Sequence, residues 1–97
     1  MNFEQVIIRC LVEMDIVDSF VDALLAYPEQ ELMVTSYEVQ THHQNLEDIR
    51  EKVSGFKQQM AFEITIQLDE AGQLKAYLQS KFSEMAMEIQ VLPLLKI

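Results

Sequence analysis

The stretch Thr41–Gly55, THHQNLEDIREKVSG, decides how the chain is read, because the segments before and after it each spell one strand, one helix and one strand. Within it, Leu46, Ile49 and Val53 recur at the i, i+3, i+7 spacing of a single helical face, with Glu47, Asp48, Arg50, Glu51 and Lys52 around them. The spacing predicts a short amphipathic helix. Asn45 is placed to cap its first turn, acids follow at the positive end of the dipole, bases come late, and Gly55 suits a left-handed stop. His42 and His43, the two histidines of the chain, precede the cap at a strand-to-helix corner, where side chains are usually exposed.

Working outward toward the N-terminus, Gln5 to Val12 reads QVIIRCLV, β-branched and aliphatic on both alternating faces except at Arg9, the pattern of an inner strand. Ile16, Val17, Phe20, Val21, Leu24 and Leu25 then mark one face of a helix with Asp15, Asp18 and Asp22 opposite, and Pro28 ends it. Met33, Thr35, Tyr37 and Val39 alternate with Val34, Ser36, Glu38 and Gln40, which predicts a strand with one apolar face.

On the other side of the central stretch, Met60, Phe62, Ile64, Ile66 and Leu68 alternate with Gln59, Ala61, Glu63, Thr65 and Gln67, the clearest period-two signal in the chain. Asp69 is placed to cap a second helix, on which Ala71, Leu74, Tyr77, Leu78, Lys81 and Phe82 define a face; Gly72 weakens it slightly. A polar corner, Ser83 to Ala86, leads to a last strand, Met87 to Val91, stopped by Pro93. The order is βαββαβ, an α+β ferredoxin-like arrangement of a four-stranded antiparallel sheet carrying two helices on one face, with the first and third strands at its centre.

A chain of 97 residues suits a single domain, residues 1–97, with one core. Hydrophobic residues at 49% and charged residues at 24% are ordinary globular proportions. The net charge of −9 repels phosphate backbones and anionic membrane surfaces, and the bases form no run, so neither nucleic acid nor membrane insertion is expected. Cys10 is the single cysteine; it allows no intrachain disulfide and reads as a buried thiol on an inner strand. Glu4 stands where a signal peptide would carry bases, and Arg9 interrupts the apolar run, so the cytoplasm is the default expectation.

The sheet face away from the helices has a mixed character, with Gln59, Glu63, Thr65 and Gln67 on the third strand and Phe3, Ile7 and Leu11 on the first. Faces of this kind turn toward each other in closed cyclic assemblies, and the apolar tail Leu94, Leu95 and Ile97 also calls for a neighbour. A homo-oligomer is expected, a trimer by preference. Arg9 is expected to pair with Glu63 or with another acid across an interface.

With these residues in hand, the chain resembles a family of small bacterial proteins related to the PII (nitrogen regulatory) signal-transduction proteins. The most specific part of the resemblance is His43-x-Asn45-Leu46, then Val53-x-Gly55 and the third strand. It implies a PII-like ferredoxin fold, a trimer, and a non-enzymatic regulatory role in which the 41–55 loop, through His43, Asn45, Glu47, Arg50 and Gly55, meets a small ligand or a protein partner. An association with heavy-metal efflux transporters is also implied. The chain departs from PII proteins at the corner after the second helix: Ser83-Glu84-Met85-Ala86 has no Gly to bring backbone amides to a phosphate and an acid where a base is wanted, and Lys96 is the one base near the end. PII-style ATP or ADP binding is therefore not expected.

A second reading keeps His42 and His43 as ligands to a divalent or soft metal ion, completed by Glu38, Glu47 or a neighbouring subunit, in a metal-binding or metal-buffering protein. Against this, His42 reads first as a solvated or hydrogen-bonded loop residue, and His43 is readable either as a ligand or as a loop residue that orients the stretch by bonding to backbone. Met33, Met60 and Met87 fall on faces expected in the core, so the six methionines read as packing rather than as a copper site. No nucleophile, HExxH, GxSxG or phosphate-loop spacing occurs, and the paired acids stand at helix N-termini, so no enzymatic activity is expected.

Overall fold

The computed structural model describes residues 4–42 and 57–97. β1 (Gln5–Glu13) runs into a single 3-10 turn (Met14–Ile16), then α1 (Val17–Leu25), β2 (Met33–Thr41), β3 (Lys57–Gln67), α2 (Leu68–Lys81) and β4 (Met87–Pro93). The helix expected between Asn45 and Gly55 lies outside the described residues. The four strands form one antiparallel sheet in the order β2-β3-β1-β4. The first and third strands stand at the centre, as expected.

Alternation decides what is buried. Val6, Ile8, Cys10 and Val12 of β1 and Phe62, Ile64 and Ile66 of β3 share a single core with Phe20 and Leu24 of α1 and Ala71, Leu74 and Leu78 of α2. Both helices therefore cover the same sheet face. Phe20 is the hub, with ring centroids 4.8 Å from Phe62 and 5.3 Å from Phe82, and fully burying such a ring contributes about 2–3 kcal/mol. Tyr27 and Tyr77 meet edge to face at 4.9 Å, and Tyr77 donates its hydroxyl to the Ala23 carbonyl, which fastens α2 to α1.

Three expectations need correction. α2 begins two residues early, at Leu68 with Gln67 in the cap position, so Asp69 sits in its first turn beside Glu70 and acts on the helix dipole; no side chain caps the helix. β2 does not have one apolar face turned to the core: seven of its nine residues are exposed, on both faces. The reason is position, because the shared core draws on β1, β3 and β4 and includes no residue of the outer strand β2. Met33 accordingly is 77% exposed rather than in the core, whereas Met87 is buried and Met60 packs against the core. The exposed Lys81 places its ammonium over the Tyr77 ring, 5.1 Å from the centroid.

Candidate functional site

The ladder between β2 and β3 closes with Thr41 opposite Lys57, so residues 42–56 leave and re-enter the sheet at one point. The two feet of this connection are fixed by side chains. Thr41 Oγ1 donates to Gln59 Oε1 at 3.3 Å, and the Lys57 ammonium lies 2.6 Å from Glu13 Oε1 on β1. Glu84 and Glu88 border the same depression of about 230 Å³, so the ground under the connection is acidic. At the α2–β4 corner the Ala86 N–H closes a turn onto the Ser83 carbonyl, and the Ala86 carbonyl accepts from Glu13 N–H. A phosphate placed there would face Glu13, Glu84 and Glu88 against one lysine already paired.

His42 follows directly on β2 and is exposed. His43, Asn45, Glu47, Arg50 and Gly55 lie outside the described residues. The Glu38 carboxylate accepts from the Gln58 side-chain amide at 3.2 Å, and among the described residues no three His, Cys, Asp or Glu side chains gather as a metal site. Cys10 is fully buried, and loss of hydration pushes its thiol from 9.0 up to about 12, which makes it an inert packing group.

The sheet face away from the helices carries a polar row that crosses every strand. Tyr37 of β2 donates to Glu63 Oε2 of β3 at 2.8 Å; Arg9 of β1 donates through Nε and Nη2 to Gln90 Oε1 of β4 at 2.8 and 2.5 Å; Gln90 Nε2 then donates to Glu88 Oε2 at 3.4 Å. Among the described residues Arg9 thus donates to Gln90, and no ion pair to Glu63 is seen. Both stand opposite Arg9 in the ladder, and Tyr37 engages Glu63 from the other side. The hydrogen bond to Glu63 raises the pKa of the Tyr37 hydroxyl above the usual phenol value, with burial adding to it and Arg9 opposing it. Around this row stand Met33, Val39, Ile7, Leu11 and Leu92, all on the face without helices.

Sequence reasoning missed two features. One is the Tyr37–Glu63 bond, which the shared odd-numbered alternation of both strands could have suggested. The other is a groove of about 530 Å³ at the α1–β2 corner, framed by Leu24, Leu25, Pro28, Leu32 and Val34 with Glu31 at its rim. Tyr27 also borders it, and the Tyr27 hydroxyl is buried with no hydrogen-bond partner among the described residues.

A sheet ordered β2-β3-β1-β4 with both crossover helices on one face is the architecture of PII-like ferredoxin-fold proteins. Residues 3–97 match the model of the family described as "Protein of unknown function (DUF3240)", and the chain belongs to that family. No curated protein sequence matches the chain. Among solved structures it is similar to a DUF3240 family protein from Shewanella baltica (TM-score 0.67, 17% identity, covering 100% of this chain and 96% of that one). It is similar also to Arabidopsis thaliana PII bound to citrate (TM-score 0.68, 17% identity, 96% and 79%) and to CutA from Synechococcus elongatus (TM-score 0.61, 15% identity, 97% and 80%). At these identities the likeness is one of fold. No helix among the described residues is long and apolar enough to cross a membrane.

Proposed function

We propose that the chain is a non-enzymatic, PII-like regulatory protein that works as a cyclic homo-oligomer, a trimer by preference, and meets a small ligand, a metal ion or a protein partner through residues 41–55. The observation that carries this reading is the closure of the β2–β3 ladder at Thr41 and Lys57. It gathers His42, His43, Asn45, Glu47, Arg50 and Gly55 into one connection on a rigid base, and binding residues on loops held by rigid scaffolds are the common arrangement. The mechanism would be a shift in the population of that connection toward its bound form, driven by the difference in affinity between its states. A partner such as a heavy-metal efflux transporter belongs to the same proposal, and the acidic ground at the feet of the connection, with Glu13, Glu84 and Glu88, favours metal ions or basic surfaces over ATP or ADP.

Isothermal titration of the protein against Zn(II), Co(II), Cu(I) and ATP tests it. Saturable binding of one metal that disappears in His43→Ala, with the light-scattering mass unchanged, supports the metal form of the reading. Micromolar binding of ATP would overturn the argument from the missing Gly and bases. A particle of 11.3 kDa in size-exclusion light scattering would overturn the oligomer.

A further inference from the structure

The α1–β2 groove and the segment after β4 have complementary chemistry. The groove is walled by Leu25, Pro28, Leu32 and Val34, with Leu25 82% exposed, and Glu31 stands at its rim with Glu29 exposed in the same corner. After Pro93 come Leu94, Leu95, Lys96 and Ile97, of which Leu95 is 57% exposed and Ile97 wholly so. In an extended segment Leu95 and Ile97 point to one side and Lys96 to the other. Two apolar side chains thus stand ready for the apolar walls while one ammonium faces the acidic rim.

The segment does not occupy the groove of its own chain: Leu94 and Lys96 border a separate depression with Glu4, Gln5 and Gln67. Groove and segment both lie at the end of the sheet where β1 starts, since Met33 opens β2 opposite Thr65 and Pro93 closes β4 opposite Val6. They belong to opposite outer strands, however, with β3 and β1 between, a separation of about 14 Å at the usual strand spacing. Leu94 is tied by its N–H to the Gln5 carbonyl at 3.4 Å. The three residues beyond it span about 10 Å at most. A groove at one edge and its occupant at the other are the two halves of a head-to-tail contact, and repetition of such a contact by a fixed rotation closes a ring.

We infer that Leu95, Lys96 and Ile97 of one copy seat in the α1–β2 groove of the next, with Leu95 and Ile97 against Leu25 and Leu32 and Lys96 against Glu29 and Glu31. The segment is a clasp between subunits. This rests on the oligomer proposed above and assigns it a directional contact.

The test is disulfide trapping. Leu25→Cys and Ile97→Cys proteins, each exposed at the new position, are mixed and mildly oxidised, with the buried Cys10 silent. The expected result is a covalent dimer formed several-fold more in the mixture than in either protein alone, and a ladder of closed species from the double variant. Lys96→Glu is expected to raise the concentration at which the assembly dissociates several-fold, and Glu31→Lys in the same chain to restore it. If light scattering shows an oligomer while no mixed disulfide forms and Lys96→Glu dissociates like the parent, the clasp is wrong and the oligomer stands. If the parent is monomeric at every concentration, both fall together.

Discussion

Tyr37 on β2 donates its hydroxyl to Glu63 Oε2 on β3 across 2.8 Å, and Ala61, directly opposite Tyr37 in the ladder, is fully buried although it lies on the face without helices. The pair ties the outer strand diagonally to an inner one, and cross-strand pairs of this kind are the unit of sheet stabilisation. Because Tyr37 is exposed, solvent screening keeps the bond's worth under about 1 kcal/mol. Its pKa is raised from 10.0, so this contribution is present below pH 10 and is lost as the folded hydroxyl ionises above it. Tyr37→Phe is expected to remove one late-titrating step from the ultraviolet tyrosinate curve while leaving the fold intact. Loss of a step at the ordinary phenol position, rather than a late one, would show that the bond is not formed in solution.

Tyr27 lies at the groove with its hydroxyl buried and unpartnered among the described residues, while its ring meets Tyr77 edge to face at 4.9 Å. Burial, helped by Glu29 and Glu70, holds its pKa up. A buried polar atom without a partner costs about 1–3 kcal/mol, and Phe preserves the ring contact. Tyr27→Phe is therefore expected to stabilise the chain by about 1 kcal/mol, a rise of roughly 4–8 °C in Tm for a domain of this size. A fall in Tm would show that the hydroxyl has a partner in solution.

The strands at the centre were legible because one of their faces is wholly buried, and a period of two leaves no freedom in which residues face the helices. β2 was misread for the same reason turned round. Its odd residues, Met33, Tyr37 and Val39, are apolar, but on the face away from the helices, and local alternation says that a strand has an apolar face without saying which layer covers it. Arg9 faces Glu63 on one side and Gln90 on the other, a choice that register alone could pose and only side-chain packing could decide. For the candidate site, the feet at Thr41 and Lys57 follow from strand limits, whereas the binding role given to His43 and Asn45 rests on family resemblance, because the helical spacing of Leu46, Ile49 and Val53 suggests an element without saying what it meets.

Gly72 sits within α2, exposed, and a methyl group added there would meet nothing within 4 Å. Glycine costs a helix interior about 0.5–1 kcal/mol relative to alanine, chiefly through the entropy of the unfolded chain. Gly72→Ala is expected to raise the urea midpoint by a corresponding amount with the m-value unchanged. A loss of stability would mean that this side of α2 is covered in the assembled protein.

Cys10 gives the sharpest dependence on pH. Its thiol is pushed from 9.0 to about 12 by burial between the sheet and the helices, so below pH 9 the group is protonated in both states and adds no pH dependence. Above pH 9 the unfolded chain releases the proton while the folded chain keeps it. Stability therefore drains away by about 1.4 kcal/mol per pH unit until the folded thiol ionises as well. Cys10→Ala is expected to start lower at pH 7 because a buried side chain is trimmed. Between pH 9 and 11 it should lose stability less steeply than the parent in urea unfolding. The same burial predicts that Ellman's reagent at pH 8 finds no reactive thiol in the folded protein and one equivalent after unfolding. Fast labelling of the folded protein would place Cys10 at a surface, and the assignment of β1 as an inner strand would not survive that result.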